Sequence, residues 1–171
     1  GCTLWTKSDF RLSKYMNDYN CIPCMTPSLC EELHNSDVAW LSKELNSIED
    51  NAEKKMQLKD KSIDGLELQS CDEVIMDRND SELKSSYDQT VVITHHLPSY
   101  KLIANKYEGN PMNSFYATNL EELVEKADIW CCGHSHSAKQ VTIGKCRCYL
   151  NPVGYSQEST GFKSFIEIPV K

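Results

Sequence analysis

Four of the five histidines stand in two pairs, His95-His96 and His134-Ser135-His136. Each pair follows an apolar run: Val91-Val92-Ile93-Thr94 precedes the first, and Ile129-Trp130-Cys131-Cys132-Gly133 the second. Neutral imidazole is a good ligand for zinc, iron, manganese or nickel, so two such pairs could furnish a metal site. In an extended segment residues i and i+2 point the same way, which would turn His134 and His136 toward one ion or two adjacent ones. Gly133 is expected to permit the sharp turn and close backbone approach of such a site. Two other readings compete over this stretch. The adjacent cysteines could make it a redox site, or the histidines could be a surface pair at the end of a core strand. The apolar run around Cys131 and Cys132 favours core positions for both.

These residues need strands that end together. Val91–Thr94 is β-branched throughout and is expected to be a fully buried strand that stops at His95-His96-Leu97-Pro98. Asp128–Cys132 reads as a second buried strand ended by Gly133. Neighbouring strands that end at one sheet edge bring their following loops together, so His95, His96, His134 and His136 could converge. Cys2–Thr6 reads as a short buried strand, and Lys7–Met25 as a polar loop. Ser28-Leu29-Cys30-Glu31, after Pro27, has capping-box spacing and predicts a helix start. Its apolar stripe would be Leu29, Leu33, Trp40, Leu41 and Leu45, with His34 as a packing residue. From Asn46 to Gln89 the chain turns polar and loses its periodicity, which marks an insertion or a solvated helix. The run Asp77–Asp80 there reads as solvated surface. A short helix is expected from Asn119 to about Lys126. Gly144-Lys145 predicts a tight hairpin between Val141–Ile143 and Cys146–Tyr149, and Phe165–Ile168 a final strand.

Composition narrows the partners. With 171 residues the chain is expected to form one domain, and its net charge of −7 argues against nucleic acid as a main binding partner. An anionic substrate would need metal cations to supply local positive charge. No apolar run approaches the ~20 residues that span a bilayer, so no membrane partner is expected. The opening GCTLWTKSDF lacks the features of a signal peptide and an initiating Met, which suggests a processed product or a fragment. Nine cysteines read as reduced thiols in a cytoplasmic protein, with Cys21-Ile-Pro-Cys24 a weak redox or zinc motif.

Taken in order, Val91–Ser99 (VVITHHLPS), Ile129–His136 (IWCCGHSH) and Asn151–Tyr155 (NPVGY) resemble the calcineurin-like metallophosphoesterases. GCTLWT, MNDY, AWLSKEL and NSFYATNLEELVEKADIW resemble a bacterial-type branch of that family, so the resemblance covers nearly everything outside 46–89. It implies an α/β fold, the C-terminal part of a four-layer β-sandwich flanked by helices, in a single domain 1–171 with an insertion at about 46–89. It also implies a two-metal centre acting on a phosphorylated substrate, with Mn, Fe, Zn or Ni as divalent ions. By motif position His95 and His134 would bind one metal and His136 the other. His96 takes a variable position, either behind the ligands or facing substrate, and is the one catalytic candidate. Asn151–Tyr155 would be a structural turn closing the fold.

The family's Asp-x-His, Gly-Asp-x-x-Asp and Gly-Asn-His segments do not occur in this sequence. The chain therefore resembles the C-terminal half of such an enzyme, needing an N-terminal half or self-association to cover its sheet and complete its ligands. The rival expectation is a catalytically silent member serving as a binding or scaffold protein. A thiol redox protein built on Cys21 and Cys24 is a third.

Overall fold

The two expected strands before the histidine pairs form and lie side by side. In the computed structural model, which describes residues 1–8, 10–61 and 89–169, β1 (Val91–Ile93) pairs in parallel with β2 (Ile129–Cys132). β2 pairs in parallel with β4 (Cys146–Leu150), and β3 (Lys139–Ile143) closes the sheet as an antiparallel neighbour of β4. The chain is thus mixed α/β, with one four-stranded mixed sheet in the order β1-β2-β4-β3. Gly144 adopts φ +55°, the first central position of the two-residue hairpin loop where glycine is favoured. Residues Cys2–Thr6 make one parallel bridge, Cys2 to Thr94, rather than a strand ladder. Leu4 and Thr6 are nonetheless buried.

One face of the sheet is packed. Val92, Trp130, Cys148 and Leu150 join Leu4, Leu97, Leu102 and two helix residues, Leu41 and Leu45, in a single apolar cluster. The other face differs from expectation. Only Val92 of β1 is buried; Val91 and Ile93 are 54% and 59% exposed. β1 lies at the sheet edge, and its alternate side chains point to a face that no described layer covers there. Cys132 packs against the core cluster, whereas Cys131 lies on the other face and is partly exposed.

The predicted loop Lys7–Met25 holds a 3₁₀ turn, Phe10–Tyr15, and a short helix α1, Asn17–Cys21. The long helix α2 runs over Pro27–Lys61. Its cap is Thr26, two residues before the expected Ser28: the Thr26 hydroxyl accepts from Leu29 N–H at 3.1 Å, with Pro27 in the first turn, where proline costs nothing. The buried stripe is Cys30, His34, Leu41 and Leu45, while Leu33 and Trp40 face solvent. His34 donates no ligand role here; its Nδ1 meets the Trp5 carbonyl. Asp37 accepts from Leu4 N–H at 2.8 Å and ties the helix to the N-terminal segment. The helix passes through Asn46 without a break, so the expected insertion boundary falls mid-helix, and Glu49 pairs with Lys126 at 2.5 Å. Asp77–Asp80 lie outside the described residues. A third helix, α3, is one turn, Glu121–Val124. Phe165–Ile168 forms no strand; the tail is tied instead by Asn151 to Lys163 and by Arg147 to the Pro169 carbonyl. Eight described cysteines, Cys21 and Cys24 among them, are free thiols. Among the described residues no helix is long and apolar enough to cross a membrane.

Candidate functional site

Parallel register brings the two histidine pairs together. Ile93 lies opposite Cys131, so His95 and Gly133, each two residues further on, leave the sheet at the same level. Gly133 N–H donates to the His95 carbonyl at 3.0 Å and locks the loops to one another. A cleft of about 830 Å³ opens there, outside the carboxyl ends of β1, β2 and β4, and His95, His134 and His136 all line it. This is the crevice where parallel sheets commonly bind ligands.

His95 Nε2 and His134 Nδ1 are 3.1 Å apart. Tyr116 lies against His134 with ring centroids 5.0 Å apart. His134 holds φ +63°, and Ser135 N–H donates to the Gly133 carbonyl at 2.7 Å, so His134 is the middle of a three-residue turn of the costly hand. The expected glycine freedom is thus displaced by one residue. Gly133 itself has no positive φ, and a Cβ there would meet nothing nearer than 3.8 Å. The turn also separates His134 from His136. His136 Nδ1 stands 2.6 Å from Glu158 Oε2, and its ring meets Tyr155 edge-on at 4.8 Å.

His96 faces away from the cleft. It is 1% exposed, its Nδ1 donates to the Thr3 carbonyl at 3.2 Å, and its ring lies 4.1 Å from that of His134 and 5.0 Å from that of Trp5. Of its two expected placements, it takes the one behind His134. Its backbone is pinned as well: Thr94 Oγ1 donates to the His96 carbonyl at 2.8 Å and accepts from Trp130 Nε1 at 3.0 Å. His95 and His96 both donate their N–H groups to the Thr3 carbonyl.

Burial holds His95, His96 and His134 uncharged at neutral pH. Burial pushes His96 down to about 4. Burial, followed by the neighbouring His96, His95 and His136, pushes His134 down to about 3, with the Phe115 carbonyl acting weakly the other way. Burial lowers His95, and Asp18 across the cleft opposes that shift. Neutral imidazoles keep a lone pair free for a ligand. His134 Nε2 is buried without a hydrogen-bond partner, a rare and costly state for such an atom.

Two nitrogens bound to one tetrahedral zinc at about 2.0–2.1 Å each would stand about 3.3 Å apart. The His95–His134 separation, a hydrogen-bond distance between two ring nitrogens, is close to that spacing. Beyond that pair the fit ends: among the described residues no group of three His, Cys, Asp or Glu side chains is arranged to hold a metal. These residues alone do not fit a two-metal centre.

Sequence reasoning missed two carboxylates that line the cleft, Asp18 and Glu158. Asp18 belongs to MNDY, in the segment expected to be a polar loop. Glu158 is placed by the NPVGY loop, of which Pro152, Val153, Gly154 and Tyr155 also line the cleft. The hydrogen bond from Tyr155 N–H, and then His136, hold the Glu158 carboxyl below its ordinary range. Comparison of the chain with protein-family models, with curated proteins and with solved structures finds no match.

Proposed function

We propose that this chain contributes the histidine side of a metal-dependent phosphoester hydrolase of calcineurin-like type. The observation that carries the reading is the His95–His134 pair, two neutral imidazoles 3.1 Å apart at the ends of parallel neighbours in an open cleft. His95 and His134 would hold one divalent ion, and His136 is the donor nearest to serve a second. Such ions neutralise charge on phosphoryl oxygens and activate water when bound. His96 packs behind His134 and fixes its ring. Tyr116 lies against His134 on another side.

The remaining ligands come from another polypeptide segment or a second copy of the chain. Two features support this: a donor set that is incomplete among the described residues, and the exposed Val91 and Ile93 on a face of a largely parallel sheet, a kind of sheet normally covered on both sides. The fold of the whole would be the metallophosphoesterase sandwich, of which this mixed sheet forms part. The test is metal analysis with turnover of a generic aryl phosphate, by this chain alone and joined to a segment bearing Asp-x-His and Gly-Asn-His. Metal and turnover that appear with the join and vanish with His134→Ala support the reading. Turnover indifferent to His134 rejects it. A second reading, a silent binding module, draws on the absence of a three-residue metal group among the described residues. No metal and no turnover in the joined protein would favour it.

A further inference from the structure

The loop after β4 is built around one carboxylate. Glu158 Oε2 accepts from Tyr155 N–H at 2.7 Å and lies 2.6 Å from His136 Nδ1. Glu158 N–H in turn donates to the Tyr155 carbonyl at 2.9 Å. Gly154, at φ +74°, makes room for this. A Cβ there would stand 2.7 Å from Glu158 Oε2 and 2.4 Å from Thr160 Cγ2. Thr160 Oγ1 is itself buried and donates to the Pro152 carbonyl at 2.8 Å, and its own carbonyl takes Ala138 N–H at 2.7 Å. The loop is therefore cross-braced on both sides of Glu158 and tied back to the chain that follows His136.

We infer that Glu158 is the positioning residue of His136: its carboxylate holds the Nδ1 proton, and Nε2 is left as the one free lone pair that the ring presents to the cleft. An ionised carboxylate accepts and never donates, so the nitrogen facing it must carry hydrogen. The bond made by one ring nitrogen decides which tautomer the other presents, and carboxylate partners of this kind orient and strengthen imidazole ligands. The inference deepens the proposed role of His136 by assigning the atom through which it acts. It also explains why His136 diverges from His134: its orientation is set by the β4 loop, not by the strand that leads to it.

The experiment reads the ring directly, on ¹⁵N-labelled chain at pH 8, above the ordinary imidazole pKa of about 6.5. Two-bond ¹H–¹⁵N correlation distinguishes protonated from bare ring nitrogens, and His136→Asn identifies the His136 signals by their loss. The expected result is a protonated Nδ1 and a bare Nε2. Glu158→Ala should move the ring to the Nε2–H form favoured by unconstrained imidazole. Glu158→Gln, whose amide oxygen still accepts, should keep the original form. Gly154→Ala, which crowds the carboxylate without removing it, should act like Glu158→Ala. Three results would each overturn the inference: a wild-type ring protonated at Nε2, a wild-type ring protonated at both nitrogens, or a tautomer unchanged by Glu158→Ala. The wild-type spectrum alone is decisive should a variant fail to fold. No metal or substrate enters this readout. A locked ring in a protein without turnover would count against the proposed function only, and a free ring in an active protein against this inference only.

Discussion

His95-His96 and His134-Ser135-His136 leave neighbouring parallel strands at one level, yet the fold uses them in opposite ways. In the first pair the chain bends, both N–H groups meet the Thr3 carbonyl, and His95 lines the cleft while His96 is buried against Trp5 and His134. In the second pair the extended geometry fails at His134, whose φ of +63° breaks the i, i+2 alignment. His134 then turns to His95, and His136 to Glu158. Spacing shows which residues reach the edge of the sheet. Backbone conformation at that edge decides what each imidazole faces.

The largest expected effect tests His134, the residue through which the two pairs meet. In the joined protein of the proposed function His134→Ala should reduce turnover to background and lower bound metal, measured by initial rates and elemental analysis. His136→Ala should leave the His95–His134 pair standing and retain part of the metal. Equal metal loss from both variants would mean that the pairs act as a single unit, contrary to the geometry.

Stability should divide the histidines differently. His96 fills a closed space between Trp5 and His134, and removing a buried ring of this size costs about 3–4 kcal/mol. His136 makes a partly exposed hydrogen bond to Glu158, so His136→Ala should cost less than about 1 kcal/mol. Urea unfolding of both variants checks the contrast, and similar midpoints would contradict the placement of His96.

Acid should expose the same difference. His96 is held down to about 4 in the folded chain against an ordinary value of 6.5. Between these values the unfolded chain binds a proton that the folded one refuses, so stability is full above pH 6.5 and falls as pH drops toward 4. The shift corresponds to a loss of about 3 kcal/mol, to which His134 and His95 add in the same direction. His96→Phe should flatten the slope across this window. An unchanged slope would place the titration elsewhere.

Much of the scaffold was legible in local residue type. The β-branched run before His95, the apolar run before Gly133 and the Gly144-Lys145 hairpin all form where their composition predicts. Features that depend on neighbours were not. Val91 and Ile93 have the same chemistry as Val92, and only their position on an edge strand leaves them exposed. The stripe on α2 turned away from Leu33 and Trp40 because His34 meets Trp5, Asp37 meets Leu4 and Cys30 meets Met25, a docking that no helical period contains. Glu158 was invisible for the same reason: it lies 22 positions beyond His136 in the sequence, and only the return of the β4 loop brings them together.

The last comparison is between two glycines that look alike in sequence, Gly133 beside one pair and Gly154 beside its carboxylate. Gly154→Ala must place a Cβ at φ +74° within 2.4 Å of Thr160 Cγ2, and should cost about 1–3 kcal/mol. Gly133→Ala meets nothing closer than 3.8 Å, at a φ open to any residue, and should cost less than about 1 kcal/mol. Thermal unfolding of the two variants makes the comparison. The sequence motif alone predicts the reverse order, because glycine before His134 is the one expected to serve the turn. Greater damage at Gly133 would mean that the left-handed residue is the glycine after all. His134 and His136 would then regain the common orientation that their spacing first suggested.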